Sequence, residues 1–434
     1  MADRKSIRNA AWIMICKVLQ ALVQLIVGML SARYLGPSGY GLLSYAAALT
    51  AFAIPLMQLG LNWSLVREYV RTPEEEGTVL ATALALNGIS ALLCAAGVAI
   101  FAALTNRGEG DVIWVCTLYG ATLLFQSMEN LQYFFQARLL SKYASLAALC
   151  GYVAVSGYKL WLLAAEKSIR WFALSHAVEY AVAGGLMILS CRRFRKGKFR
   201  VSLPMAKRLL RTGGQYIPAS CCTAVINSAA GILLKLLRSQ QEAGYYAAAL
   251  TCSVVLHFVY AALLESLRPG ILRLKGRDEA RYQHRILALF GGFFYVSLIQ
   301  CAVFALCAQW IVGFLYGGQY GPAVMVLRLL IWQTPFALLG WVRDLWLLAE
   351  EKHHLSRKVH MAGALTNLAL NVCLIPRWGA GGAAVAAIAT QAVSHLLTCF
   401  ALKELKPLVP VLRNGLHPKE ILQLTKEMIE YDKI

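Results

Sequence analysis

The chain has 434 residues, of which 59% are apolar and only 15% are charged. Soluble domains carry about 25% charged residues and seldom pass about 50% apolar, which excludes an ordinary globular enzyme, a disordered chain and a collagen-like chain. The formal charge of +20, from 42 Lys and Arg against 22 Asp and Glu, would suggest nucleic acid in a soluble protein; in so apolar a chain it points to basic loops at a membrane surface.

At about 22 residues per crossing, the length accommodates about a dozen spanning helices. Arg4, Lys5 and Arg8 precede the first apolar run. That run is long enough to span and lacks a small-residue cleavage site, so it reads as a first span and not as a signal peptide. The twelve expected spans run at about 10–31, 40–62, 79–103, 111–135, 143–165, 169–190, 215–234, 243–265, 286–309, 322–346, 359–375 and 381–402. Most of the 12 cysteines, Cys16, Cys116 and Cys301 among them, fall inside these runs without CxxC spacing and read as small buried apolar residues.

Alternate loops differ sharply in basic residues. With the N-terminus on the cytoplasmic side, 31 of the 42 Lys and Arg fall inside, nine of them between Arg192 and Arg211; seven fall in the opposite loops. Both termini are therefore expected in the cytoplasm. Trp114, Trp161, Trp171, Trp310 and Trp378 lie near the external ends of their spans, where an interfacial aromatic belt belongs. The longest external connection, around Trp310 to Gly321, is too short for a catalytic domain. No DxD, GxxxxGK[ST], HExxH or GxSxG motif is present, so the chain reads as a non-enzyme without a cofactor or metal.

Tyr45-Ala46-Ala47-Ala48-Leu49-Thr50 recurs as Tyr246-Ala247-Ala248-Ala249-Leu250-Thr251. The copies fall in spans two and eight, so two halves of equal orientation would be related by an axis along the membrane normal. The most basic loop, 191–214, lies at the midpoint of the chain. The expected fold is all-α, with two six-helix lobes in pseudo-two-fold relation around a central cavity. The lobes would be 1–200, carrying the inter-lobe loop from 191, and 201–402. The tail 403–434 would be cytoplasmic and an amphipathic surface helix from about 416.

Several stretches resemble the polysaccharide flippases of the multidrug/oligosaccharidyl-lipid/polysaccharide exporter superfamily. Arg33-Tyr34-Leu35-Gly36-Pro37 with Tyr40-Gly41 resembles the loop between spans one and two, and Val66-Arg67-Glu68 the end of span two. Gly244-Tyr245 opens span eight and Pro269 closes it; Leu315-Tyr316-Gly317 with Tyr320 precedes span ten. Asn367, Leu370-Asn371, Leu374-Ile375-Pro376, Gly379 and Gly382-Ala383-Ala384-Val385-Ala386 complete the pattern, in order, over about 30 to 390. Ala230 stands where members often carry an acid in span seven. The resemblance implies a MATE-like fold and the movement of a polyprenyl-pyrophosphate-linked oligosaccharide, such as an O-antigen or lipopolysaccharide unit, from the inner to the outer leaflet of a bacterial plasma (inner) membrane. A polysaccharide polymerase and glycosyltransferases would be its partners beside the lipid-linked glycan and the bilayer; nucleic acid would not.

Such a substrate needs a wet, preferably cationic cavity for its head while the polyprenyl tail stays in lipid. Lys17, Gln20 and Gln24 follow i, i+3, i+7 spacing and form a polar stripe on one face of span one. Lys17 either faces the cavity or snorkels to the headgroups. In span six, Glu179 lies near the middle with His176 one turn away and Tyr180 adjacent. The pair either couples transport to protons or joins helices, with Lys159 of span five as a partner for the acid. His257 of span eight is a further cavity candidate, while Glu265 and Arg268 read as a solvated pair. Arg328 and the Arg343–Asp344 pair lie near the ends of span ten, where snorkelling accounts for them. Asn367 with Asn371, and Gln391 with His395, read as interhelical hydrogen bonds. Pro55 and Pro218 are candidate hinges. The basic loop 191–214 sets topology and can also recruit anionic headgroups. Competing functions are a drug/cation antiporter or peptidoglycan-precursor flippase on the same fold, and a non-transporting scaffold for glycosyltransferases. A cation exporter would want several carboxylates at the midplane, and Glu179 is the clear one.

Overall fold

The computed structural model describes residues 2–194, 198–352, 354–415 and 417, with the side chains at 2–19, 21–22, 63 and 354 outside the described set. Among the described residues every regular element is helical. Hydrocarbon offers no partner to a backbone amide, so an apolar chain of this composition satisfies its peptide groups within each segment.

Nine segments of the described residues are long and apolar enough to cross a membrane, against twelve expected. The difference has local causes. Gly36 (φ 68°, ψ 175°) divides the helix Ala2–Gln58 into arms 2–35 and 37–58, which hold the first two expected spans in one element. Glycine adopts a left-handed φ without steric cost, and Pro37, with its fixed φ, begins the second arm. Gly379 does the same within His354–Ala392, three residues after Pro376. The expected fourth span is broken into Gly110–Gly120, Thr122–Gln126, a 3-10 turn Ser127–Asn130 and Leu131–Ala137.

Two proline expectations are corrected. Pro218 occupies the first turn of Ile217–Leu237, where its missing N–H has no intrahelical partner to lose; it starts that helix and does not kink it. Pro269 lies inside the helix His257–Leu274 and does not close it. The amphipathic helix expected from about 416 lies outside the described residues apart from residue 417.

The chain divides into two compact units, Met1–Gly244 and Tyr245–Ile434. In the first, Ser141–Ala164 packs on Ser175–Phe194, and Ile217–Leu237 packs on Ala2–Gln58. One core gathers Leu61, Leu65, Phe134, Phe135 and Leu209; another gathers Tyr45, Leu49, Met57 and Val115. Lipid is as apolar as leucine, so close packing and polar contacts hold such helices together, more than water exclusion does. Gly41 and Gly244 show how close the approach is. A Cβ on Gly41 would stand 1.8 Å from the Gln240 carbonyl oxygen, and one on Gly244 would stand 2.0 Å from that of Pro37. Gly41 and Gly244, both among the glycines of the sequence pattern, are the two sides of one backbone contact.

Ion pairs add to this unit. Glu68, of the Val66-Arg67-Glu68 stretch, is buried against Arg208, and Glu76 pairs with Arg138 at 2.6 Å. Lys235, in the last turn of Ile217–Leu237, is also buried; it donates to Asn106 Oδ1, lies 3.0 Å from Glu109 Oε2 and rests over the Tyr45 ring. In the second unit, Glu279–Tyr316 packs on Gln333–Ala349 around Phe290, Leu338, Val342 and Leu345.

Candidate functional site

A cavity of about 470 Å³ opens within the first unit, inside the range of about 300–1,000 Å³ typical of small-ligand sites. Four helical regions line it. The first helix contributes Gln20. The broken fourth span contributes Glu129, Gln132 and Gln136, whose i, i+3, i+7 spacing sets them on one face. Ser141–Ala164 supplies Ser141, Ser145 and Tyr152, and Ser175–Phe194 supplies Glu179 and Tyr180. Ala144, Ala148, Ala183 and Gly184 form the low parts of the wall. Small residues at these positions let the two long helices approach while leaving space beside them: a Cβ on Gly151 would already stand 2.7 Å from the Glu179 carbonyl oxygen.

Glu179 is 6% exposed, and its Oε2 lies 3.0 Å from His176 Nδ1. The His176 ring is itself held 5.5 Å from that of Tyr119. His176 is not part of the wall; it fixes the Glu179 carboxylate from behind. Lys159 interacts electrostatically with Glu179 and is likewise outside the wall. The lining among the described residues thus carries two carboxylates, three amides, two hydroxyls of serine and two tyrosines, with no basic side chain.

The candidates from sequence separate as follows. Gln20 lines the cavity, as does Glu179, with His176 beside it. Gln24 is exposed and outside the wall. The Lys17 side chain lies outside the described residues. His257 belongs to the second unit, where its ring meets Trp341 edge to face at 5.4 Å, so it is not a cavity residue of this site. Glu265 and Arg268 form the exposed pair expected, at 3.0 Å. Arg343 does not snorkel: it is 0% exposed, its Nη1 donates to the Ser394 carbonyl at 2.7 Å, and its Nη2 lies 2.8 Å from Asp344 Oδ1. The Ser394 carbonyl belongs to a π-helical turn, Val393–Leu397, whose altered hydrogen bonding leaves an acceptor for that guanidinium. Asn367 does join helices, donating to Thr390 Oγ1 at 3.2 Å across the Gly379 turn.

Sequence reasoning passed over Glu129, Gln132 and Gln136. The signal was present, in the same i, i+3, i+7 spacing that marked Lys17, Gln20 and Gln24. It was hidden because the fourth span reads as one uninterrupted apolar run ending near 135. A second cavity of about 360 Å³, in the second unit, is lined by Lys275, Glu279, Tyr282, Trp346, Glu350 and Lys352 among others. Its main cation is already satisfied: Lys275 lies 2.6 Å from Glu350 and 3.1 Å from Glu279. Desolvation works against that ammonium, but the two carboxylates outweigh it and raise its pKa.

Comparison with known proteins fits this architecture. The fold is similar to an inward-facing multidrug resistance MATE family transporter of the MOP superfamily, with TM-score 0.70 and 14% identity over 89% of this chain and 96% of the other. It is similar to lipid II flippase MurJ in an inward closed conformation, with TM-score 0.71 and 14% identity over 93% and 90%. A MOP superfamily transporter from Pyrococcus furiosus, described as having a binding pocket of reverse polarity, gives TM-score 0.61 and 15% identity over 93% and 96%. No curated protein sequence matches the chain. Residues 6–275, more than half of the chain, match the family described as polysaccharide biosynthesis protein. This multi-pass membrane protein with a MATE- and MurJ-like fold belongs to the polysaccharide biosynthesis protein family.

Proposed function

We propose that the protein is a flippase that carries a polyprenyl-pyrophosphate-linked oligosaccharide from the cytoplasmic to the outer leaflet for surface polysaccharide synthesis. The observation that carries this reading is the polar cavity of the first unit, rich in amides and hydroxyls, in a chain of this family. Sugar hydroxyls need donors and acceptors to replace water. Gln20, Gln132, Gln136, Tyr152 and Tyr180 offer both, while Glu129 and Glu179 accept. Desolvating such a head without those partners would cost several kcal/mol per unpaired group. The polyprenyl chain needs no protein partner, since it never leaves hydrocarbon. Lys17 remains the sequence candidate for the diphosphate.

Both termini are assigned to the cytoplasm of the plasma membrane. The bias of basic residues supports this, and so does the exposure of Trp114, Trp161, Trp171, Trp310 and Trp378, the five assigned to the outer interface. Labelling of single cysteines placed within 198–211 from outside intact cells tests the orientation; reaction there would reverse it.

A second reading, export of an organic cation, is favoured by the second carboxylate, Glu129, on the same wall as Glu179. One experiment separates the two. Deleting the protein in its native cell should leave a polyprenyl-linked glycan accumulated in the inner leaflet with surface glycan lost. Unchanged surface glycan together with raised retention of a lipophilic cation would establish the second reading instead.

A further inference from the structure

A short helix outside the cavity carries a surface of unusual composition. Leu203–Gly213 has 11 residues, lies between Ser175–Phe194 and Ile217–Leu237 in the chain, and packs on Leu61–Arg71 and Glu76–Thr105. Two contacts pin it there: Arg208 pairs with the buried Glu68, and the Ser202 amide donates to Thr82 Oγ1 at 3.1 Å. Its inner face, Met205, Ala206, Leu209 and Gly213, is buried. Met205 and Leu209 belong to the core that holds Leu61, Leu65 and Phe134.

With one face in a core, the other face of a helix at a water boundary would be polar throughout. This one is not. Leu203, Lys207, Leu210 and Arg211 follow i, i+4, i+7, i+8 spacing and stand exposed, Leu203 at 69%. The residues before the helix add Lys198, Arg200 and Val201, all exposed. The adjoining helix Leu61–Arg71 repeats the mixture: Val70 is 66% exposed and is flanked by exposed Arg67 and Arg71. Against these six basic side chains stand Glu74 and Glu75 of the 73–75 turn, exposed as well.

Exposed apolar side chains among cations gain nothing from water. A lipid interface stabilises both, since the apolar groups enter beside the acyl chains while the cations stay level with the phosphates. The helix sits at the right depth for this. Glu68 precedes the spanning segment Pro73–Thr105 and Thr82 lies within its first three turns, so a helix fixed to both lies at the membrane surface.

We propose that this surface binds the headgroups of anionic phospholipids, with Lys207 and Arg211 at the phosphates and Leu203 and Leu210 beside the acyl chains. The bound lipids hold the Leu203–Gly213 helix against the bilayer. The assignment is independent of the cargo that the cavity carries.

The test uses the purified full-length protein in a neutral detergent. It is titrated with dioleoyl phosphatidylglycerol, with dioleoyl phosphatidylcholine or with inorganic pyrophosphate. The thermal unfolding midpoint is followed, because a ligand of the native state raises it. The expected result is a saturable rise with phosphatidylglycerol, no rise with the other two, and loss of the rise at high salt. Lys207→Gln combined with Arg211→Gln should weaken the apparent affinity by about 25-fold, or about fivefold for each cation. Arg277→Gln, at an exposed arginine of the second unit, should leave it unchanged. Equal rises with phosphatidylglycerol and phosphatidylcholine would overturn the proposal, since acyl chains alone would then suffice. An equal rise with pyrophosphate would also overturn it, in favour of a site for free phosphates. A titration that the double variant leaves unchanged, or that Arg277→Gln weakens as much, would remove this surface as the binding site. Should the double variant fold poorly, Lys207→Gln alone, with its fivefold loss, decides the same question.

Discussion

The two units treat buried polar groups in opposite ways. In the first, Glu129, Glu179 and the glutamines of the 131–137 helix face an open volume of about 470 Å³. In the second, Arg343 is fully enclosed and spends its donors on Asp344 and on the Ser394 carbonyl, with no space beside it. Both are ionisable groups in apolar helices, and burial in hydrocarbon is costly for either. What differs is the partner: a void that a solute can enter, or a carbonyl and a carboxylate of the chain itself. An intramembrane charge therefore marks function only when its remaining bonding capacity points into space.

That contrast can be broken, most severely at Arg343. Arg343→Ala empties a fully buried site and removes its bonds to the half-exposed Asp344 and to the Ser394 carbonyl, which keeps its bond from Thr398 Oγ1. It should cost about 3 kcal/mol of stability, the upper range for hydrogen bonds to a charged group. Loss of folded protein in detergent, measured by thermal unfolding, checks it; an unchanged midpoint would show that the buried pair is not structural. Gly244→Val comes next, because its side chain would have to occupy the position of the Pro37 carbonyl; overpacking of this kind costs about 1–3 kcal/mol.

The cavity residues should respond in the other direction. Gln132→Ala should lower glycan transport by a factor of about 5 to 10, the worth of one or two hydrogen bonds, while the unfolding midpoint changes little. A fall in stability without a change in transport would place Gln132 with Arg343 and not with the cavity. Asn367→Ala removes the bond to Thr390 and should cost only about 0.6–1 kcal/mol, the usual value of an interhelical hydrogen bond in a membrane. Smallest of all, Arg170→Ala breaks the pair with Asp111 at 2.6 Å, in which both side chains are exposed; less than about 0.5 kcal/mol should change, and added salt should erase even that.

Much of the fold was legible because apolar runs and the placement of basic residues are properties of the linear chain. Gly36, Gly41 and Gly244 stood out in the sequence pattern, and the structure supplies their reasons: a left-handed turn at the first and a backbone contact between the other two. Gln20, Glu179 and His176 were found by helical spacing alone. Glu129, Gln132 and Gln136 were not, since their span breaks at 121 and 127 and no hydropathy profile shows a break between apolar segments. Arg343 was misread for a related reason: distance from a helix end can be counted along the sequence, but enclosure by the π-helical turn at Val393–Leu397 cannot.

By itself the sequence determined that the chain is helical, lies in a membrane and carries its positive charge in alternate loops, because backbone hydrogen bonding in hydrocarbon and charge at an interface act on each segment separately. Only the tertiary structure decided which polar groups face a shared space. That depends on the rotation of each helix about its axis, and rotation is fixed by neighbours: here the small residues at 151, 183 and 184, which allow the 141–164 and 175–194 helices to close on one side and leave a cavity open on the other.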